Sequence, residues 1–330
     1  MCFEAGPSGA PALLANTARL AERSIIQYNN ICVCSTDSGF ERLGRTDLSS
    51  AELKVFLPPP AVHTGVAFVV VPGGSYRPGP YGWCKKAEGT DVAEWLQSIG
   101  VVGVVLDYRL PAGRPEVPLS DALCAIASVR RQAPAWGVDP AKVGVMGFSA
   151  GGHLAALATT AWTSASVDRP DMSVLIYPVT TLREQHTHIN SRREFLGRAH
   201  ANSTALVDRY SAELRLNRQT PPTLLVNARD DRIVDPANSR LYWEACVARE
   251  VPCRWVELAT GGHPFVNKPH AWQPTQAAIA EWLHGGDFGP GRRPPASGSD
   301  LILGGQGLVG RGAGRPVVRP AAVHESRDRG

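Results

Sequence analysis

Lys142-Val143-Gly144-Val145-Met146-Gly147-Phe148-Ser149-Ala150-Gly151-Gly152-His153-Leu154-Ala155-Ala156-Leu157 changes character halfway along. Val143–Met146 is a short apolar run of the kind a buried strand shows, and Ala150–Thr160 is a small-residue apolar stretch of helical length. Between them lies Gly147-Phe148-Ser149-Ala150-Gly151, the one G-x-S-x-G of the chain. Chance alone gives roughly 0.2 such hits in a chain this long, so the position matters more than the pattern. A serine at the tip of a tight strand-to-helix turn exposes its hydroxyl at the end of the sheet. The flanking glycines let two backbones pass without a Cβ clash. Ser149 is therefore the candidate nucleophile.

The same alternation extends outward from this turn. Leu53–Leu57 reads as a strand closed by Pro58-Pro59-Pro60, and Val66–Val71 as a fully buried strand broken by Pro72-Gly73-Gly74. Asp91–Ile99 is helical and ends at Gly100, Val101–Leu106 is a strand, and Ser120–Gln132 is a helix with Pro134 beyond it. Val174–Tyr177, Thr223–Asn227 and Arg254–Leu258 read as strands, Pro236–Glu250 and Gln276–His284 as helices. This predicts an α/β fold, a mostly parallel central sheet with helices on both faces. The polar insert of residues 180–222, with short helices over Arg192–Leu196 and Thr204–Leu214, is long for a connection and reads as a small cap. The expected organisation is an N-terminal extension over 1–50 with a helix at Ala12–Ile26, a catalytic domain over 51–284, and a disordered Gly/Pro/Arg-rich tail over 285–330.

A serine hydroxyl is a weak nucleophile until a base takes its proton. In sheets of this kind the partners follow in the order Ser, Asp, His, each after a later strand. Asp230 and Asp231 follow Thr223–Asn227, and Gly261-Gly262-His263 follows Arg254–Leu258, both where open α/β sheets place their ligands. Of nine histidines only His263 combines that order with a Gly-Gly approach. His153, one helical turn past Ser149, is expected to pack or to bond the backbone. Acyl transfer also needs donors for the tetrahedral oxyanion. The N–H groups of Gly74, Ser75 and Ala150 are the candidates.

The net charge of +4 does not point to nucleic acid. Residues 291–330 carry seven arginines against Asp300, Glu325 and Asp328, so the tail holds the whole excess. No apolar run has the roughly 18 to 20 residues of a membrane span. The opening MCFEAGPSGAPALLANTARL lacks a basic region followed by an apolar core, so no secretion signal is expected. Seven cysteines without metal-like spacing, with Cys124, Cys246 and Cys253 in apolar patterns, fit buried thiols and a cytoplasmic setting. Neither a cofactor site nor a metal site is legible, since Pro72-Gly73-Gly74-Ser75 lacks the Gly-Lys-Ser/Thr of a phosphate loop.

Beyond these separate features, an ordered series of short motifs runs through the chain. Val71–Tyr76, Glu88-Gly89, Asp107-Tyr108-Arg109-Leu110-Pro111, Trp136-Gly137-Val138-Asp139-Pro140, Gly144–Leu154, Tyr177-Pro178-Val179, Pro221-Pro222, Asn238-Ser239 and Gly261-Gly262-His263 fall in register. Together they resemble the acetyl-xylan-esterase-like and feruloyl-esterase-like branch of the α/β hydrolases, over roughly residues 51–284. The D-x-x-V spacing from Asp231 to Val234 resembles the acid loop of that fold and favours Asp231 as the orienting acid. The resemblance implies a metal-independent esterase that acts on small acyl groups, often acetyl on a sugar, so the expected partner is a small-molecule or carbohydrate ester. Ser75, where a third glycine is usual, and Pro264 after the base depart from the pattern. An arylformamidase, a peptidase, or a binding protein on a hydrolase scaffold remain alternatives.

Overall fold

A computed structural model describes residues 25–28, 51–161 and 167–285. Their strands are β1 (Ile25–Tyr28), β2 (Glu52–Phe56), β3 (Ala67–Val71), β4 (Val102–Asp107), β5 (Val143–Phe148), β6 (Ser173–Ile176), β7 (Thr223–Ala228) and β8 (Cys253–Leu258). They form one sheet in the order β1-β2-β4-β3-β5-β6-β7-β8. β1 pairs antiparallel with β2 and β2 with β4, and every later pairing is parallel. β3, β5 and β7 bury every residue, as parallel strands covered on both faces must.

The helices are α1 (Pro78–Cys84), α2 (Asp91–Ser98), α3 (Glu116–Gln132), α4 (Ser149–Ala161), α5 (Ile189–Leu196), α6 (Thr204–Arg209), α7 (Ala237–Ala248) and α8 (Pro269–His284). The two-residue period of β3 divides them between the faces. Val69 and Val71 join Ile126, Val129, Leu154, Leu157 and Tyr242 of α3, α4 and α7 in one core. Phe68 and Val70 join Leu96, Ile279 and Trp282 of α2 and α8 in the other. Each such fully buried side chain contributes about 1.5–3 kcal/mol by leaving water. The chain leaves β3 toward β4 on one side and returns to β5 on the other. That switch opens a crevice at the carboxyl ends of β3 and β5, where ligands bind in open α/β sheets.

Several expectations need correction. Residues 1–50 contribute β1, so Ile25 and Ile26 are strand and not the end of the expected helix Ala12–Ile26, whose remainder lies outside the described residues. The tail over 286–330 lies outside them too. The last helix begins at Pro269, not Gln276, and runs through Pro274. A proline there removes one helical bond, at a cost of about 3 kcal/mol. Burial of Ala271 and packing of Trp272 against Trp95 and Phe148 offset it. The segment expected as helix over Thr204–Leu214 is two pieces, α6 and a 3-10 turn at Ala212–Leu214. Cys84, Cys246 and Cys253 are free, whereas Cys124 is disulfide-bonded and not the buried thiol its pattern implied. Among the described residues no helix is long and apolar enough to cross a membrane.

Candidate active site

β5 runs straight into α4 at Ser149, whose φ of 52° lies in the left-handed region. So sharp a turn forces close approaches. A Cβ on Gly147 would lie 2.4 Å from the Gly151 carbonyl oxygen, and one on Gly151 would lie 2.2 Å from that of Val71. The two glycines of the motif are therefore required by sterics. The second also brings the backbone that leaves β3 against the first turn of α4.

Three loops at the carboxyl ends of β5, β7 and β8 then converge. His263 Nε2 lies 2.9 Å from Ser149 Oγ, and His263 Nδ1 lies 2.8 Å from Asp231 Oδ2. The Asp231 side chain is 1% exposed and that of His263 8%. Asp231 Oδ1 accepts the N–H groups of Ile233 at 2.8 Å and Val234 at 3.0 Å, which fixes the carboxylate and gives the D-x-x-V spacing a physical basis. Asp230 points elsewhere. Its Oδ1 accepts the Gly262 N–H at 2.7 Å and so holds the loop that presents His263. The imidazole packs T-shaped with the Tyr177 ring, centroids 4.8 Å apart. His263 is joined to Pro264 by a cis peptide bond.

On the other side lies the loop after β3. The Gly73 N–H donates to the Glu88 carboxylate at 2.7 Å. Among the described residues the N–H groups of Gly74 and Ser75 donate to no protein acceptor. The Ala150 N–H lies in the first turn of α4, where such groups lack a helical partner. All three expected donors are thus at the same end of the sheet as Ser149. Ser75 and Tyr76 adopt φ values of 57° and 60°, a run of left-handed non-glycine residues that the surroundings must hold.

His153 supplies part of that hold. Its Nε2 is 2.7 Å from the Tyr210 carbonyl oxygen and therefore carries the proton. Its Nδ1, 2.9 Å from Tyr76 Oη, then accepts from the phenol. Tyr76 also packs on Phe195, centroids 4.9 Å apart, which joins the insert of residues 180–222 to the loop after β3. The insert is braced by Arg192, which donates to the carbonyls of Ala201 and Leu182 and to Asn202 Oδ1. The sequence foresaw a structural role for His153 but not that it spans three elements.

Burial pushes the His153 imidazole down to about 4, so the fold holds it neutral. Below the ordinary histidine range the unfolded chain takes up a proton that the folded chain refuses. The stabilisation is complete above about pH 6.5 and is lost as pH falls toward 4. His153→Leu leaves the Tyr76 hydroxyl and the Tyr210 carbonyl without their partner, at about 1–3 kcal/mol each. Wild type is expected to be the more stable by urea unfolding at pH 7.5, and the gap to narrow at pH 5. A gap that is unchanged or wider at pH 5 contradicts a buried neutral imidazole.

Sequence reasoning missed Glu88 and Tyr177 as parts of the site. Glu88-Gly89 and Tyr177-Pro178 stood in the ordered motif series, but nothing in the sequence says that a π-helix aims a carboxylate at the loop after β3. The stretch Gly79–Lys86, which reads as a loop, is α1 leading into a π-helix at Lys85–Thr90. Among the described residues no cluster of three or more His, Cys, Asp or Glu could hold a metal ion.

Comparison with known proteins bears on the fold and the family. The chain is 33% identical over 225 residues to an acetylxylan esterase of Xylanibacter ruminicola, which covers 68% of this chain and 45% of that protein. It is 28% identical over 209 residues to the endo-1,4-beta-xylanase B of Butyrivibrio fibrisolvens, 59% of this chain and 32% of the other. The chain thus spans less than half the length of either curated relative. The crystal structure of an acetyl ester-xyloside bifunctional hydrolase from Caldicellulosiruptor lactoaceticus superposes with a TM-score of 0.66 at 29% identity, over 77% of this chain and 94% of that one. A family model described as alpha/beta hydrolase fold matches residues 82–267, more than half of the chain, from α1 to the loop of His263. The chain belongs to the α/β-hydrolase fold family.

Proposed function

We propose that the protein is a serine-type carboxylic-ester hydrolase that works through an acyl-enzyme on short acyl groups, such as acetyl esters of sugars or small molecules. The observation that carries this reading is the unbroken chain of hydrogen bonds from Ser149 Oγ through His263 to Asp231. Ser149 is the nucleophile, His263 the base and Asp231 the orienting acid. As Oγ attacks the ester carbonyl, His263 Nε2 takes its proton and Asp231 stabilises the imidazolium. The N–H groups of Gly74, Ser75 and Ala150 receive the oxyanion, where one donor is worth about 2.7–4 kcal/mol of barrier. The alcohol leaves with the proton from His263. A water that gives its proton to the same nitrogen then attacks the acyl-serine, the Oγ–acyl bond breaks as His263 returns the proton to Ser149 Oγ, and the carboxylic acid leaves.

The names of the acetylxylan esterase and of the bifunctional acetyl ester hydrolase support an acetylated carbohydrate as the substrate class. A panel of p-nitrophenyl esters from acetate to decanoate, with acetylated xylo-oligosaccharides and N-formylkynurenine beside them, tests it. We expect the highest kcat/KM at acetate or propionate, a decline toward decanoate, and release of acetate from the oligosaccharides. Faster turnover of N-formylkynurenine than of any ester would contradict the reading.

A further inference from the structure

Glu88 is a fully buried carboxylate that the mechanism above does not use. It is presented by a π-helix, Lys85–Thr90, a rare element that recurs at functional sites. Its two donors come from the ends of different strands of the sheet. Oε2 accepts the Gly73 N–H at 2.7 Å from the loop after β3, and Oε1 accepts the Tyr177 hydroxyl at 3.0 Å from the end of β6. The Cys84 thiol at the end of α1 is a further neighbour, and burial, then the nearby carboxylate, push that thiol up. A positive charge on His263, such as forms when it takes the proton of Ser149, favours the ionised carboxyl.

The two strong contacts lead to opposite halves of the reaction centre. Gly73 precedes Gly74 and Ser75, whose N–H groups are the proposed oxyanion donors, and its own N–H is turned away from them toward Glu88. The Tyr177 ring packs T-shaped with the His263 imidazole, and the residue sits at a strained φ of 38°, so its hydroxyl bond to Glu88 helps fix where that ring lies. We propose that Glu88 is a positioning residue that locks the oxyanion loop and the base into register, through Gly73 on one side and Tyr177 on the other. This rests on the esterase reading above and adds that the two halves of the site are coupled by a single carboxylate. Burial pushes the Glu88 carboxyl up, while the Gly73 N–H and the charge of His263 work against that rise. Burying a carboxyl is costly, and its hydrogen bonds to Gly73 and Tyr177 offset that cost.

The proposal separates placement in the transition state from binding of the substrate. Glu88→Ala, Glu88→Gln, Tyr177→Phe and the double variant Glu88→Gln/Tyr177→Phe are compared on p-nitrophenyl acetate. Each kcat is expressed per serine titrated to completion with a fluorophosphonate, so that unfolded protein is not counted. Trifluoroacetone, which forms a tetrahedral adduct with a reactive serine, reports on the assembled site. A displacement of about 1 Å can cost about 100-fold in rate. Glu88→Ala is accordingly expected to lose about 100-fold in kcat and a similar factor in trifluoroacetone affinity, with KM changed by less than about threefold. Glu88→Gln keeps the shape and one acceptor and is expected to fall between Ala and wild type. Tyr177→Phe, which keeps the ring, is expected to lose less. The double variant is expected to lose less than the product of the two single losses, as partners in one network do.

If Glu88→Ala does not fold, Glu88→Gln and the double variant carry the test. A kcat per labelled serine within threefold of wild type in Glu88→Ala or, should that variant not fold, in Glu88→Gln overturns the proposal, whatever the melting temperature does. So does a rise in KM alone, or full additivity of Glu88→Gln with Tyr177→Phe. Failure of the fluorophosphonate to label wild type would instead sink the esterase reading itself, and the two failures are thus told apart.

Discussion

Ser149→Ala is expected to lower kcat on p-nitrophenyl acetate by about 10⁶-fold, the loss seen when a triad nucleophile is removed. Ser149 Oγ makes its side-chain bond to His263 Nε2, and alanine keeps the Cβ at the same strained φ. The fold is therefore expected to survive, with a circular dichroism spectrum like that of wild type. Covalent labelling by a fluorophosphonate is expected to vanish in the same variant. A variant that retained a tenth of wild-type turnover would remove Ser149 from the mechanism.

The second large effect is expected at Asp231. Its carboxylate holds Nδ1–H of His263 and stabilises the imidazolium that forms during attack. In Asp231→Asn the amide can turn its NH₂ toward Nδ1, which leaves the wrong ring nitrogen carrying the proton. The expected loss is about 10⁴-fold in kcat, with a far smaller change in KM because the interaction strengthens in the transition state. The adjacent Asp230→Asn is the control. Its Oδ1 accepts only the Gly262 N–H in the site, and an asparagine oxygen can accept that bond too. A loss of about tenfold or less is expected, since a neutral acceptor is about half as strong as a charged one. If Asp230→Asn were crippled and Asp231→Asn mild, the two roles would have to be exchanged.

How far the sequence carries one depends on whether a feature is local. Val66–Val71, Val101–Leu106 and Val143–Met146 are apolar throughout, because each strand is buried on both faces by its own neighbours, and all three are strands to within two residues. Ser149, Asp231 and His263 were each legible because each follows a strand, Ser149 at once and the other two within five residues. Asp231 also has its reason two and three residues away, in the N–H groups it accepts from Ile233 and Val234.

Glu88, His153 and Tyr177 act across gaps of 15 to 89 residues, and no local pattern encodes such pairings. The start of the last helix was missed for a related reason. Pro274 is a local stop signal, and it is overridden by the packing of Trp272 on Trp95 and Phe148, which no window along the chain contains. The edge strand Ile25–Tyr28 pairs with Leu53–Phe56 across a polar stretch, so its register is set by the partner strand and not by its own pattern.

The central claim is that Ser149 forms a covalent acyl intermediate with an ester carbonyl. The most direct measurement is mass spectrometry of the protein quenched in acid within the first turnover of p-nitrophenyl acetate, with peptide mapping of the adduct. Quenching traps the acyl-enzyme, and His263→Ala can be run beside it to check that the base is required. The expected result is a 42 Da increase, the mass that acetylation adds to any hydroxyl, carried by the peptide that contains Ser149 and absent from Ser149→Ala. Hydrolysis at the full wild-type rate with no adduct on that peptide, or an adduct on another residue that survives in Ser149→Ala, would contradict it.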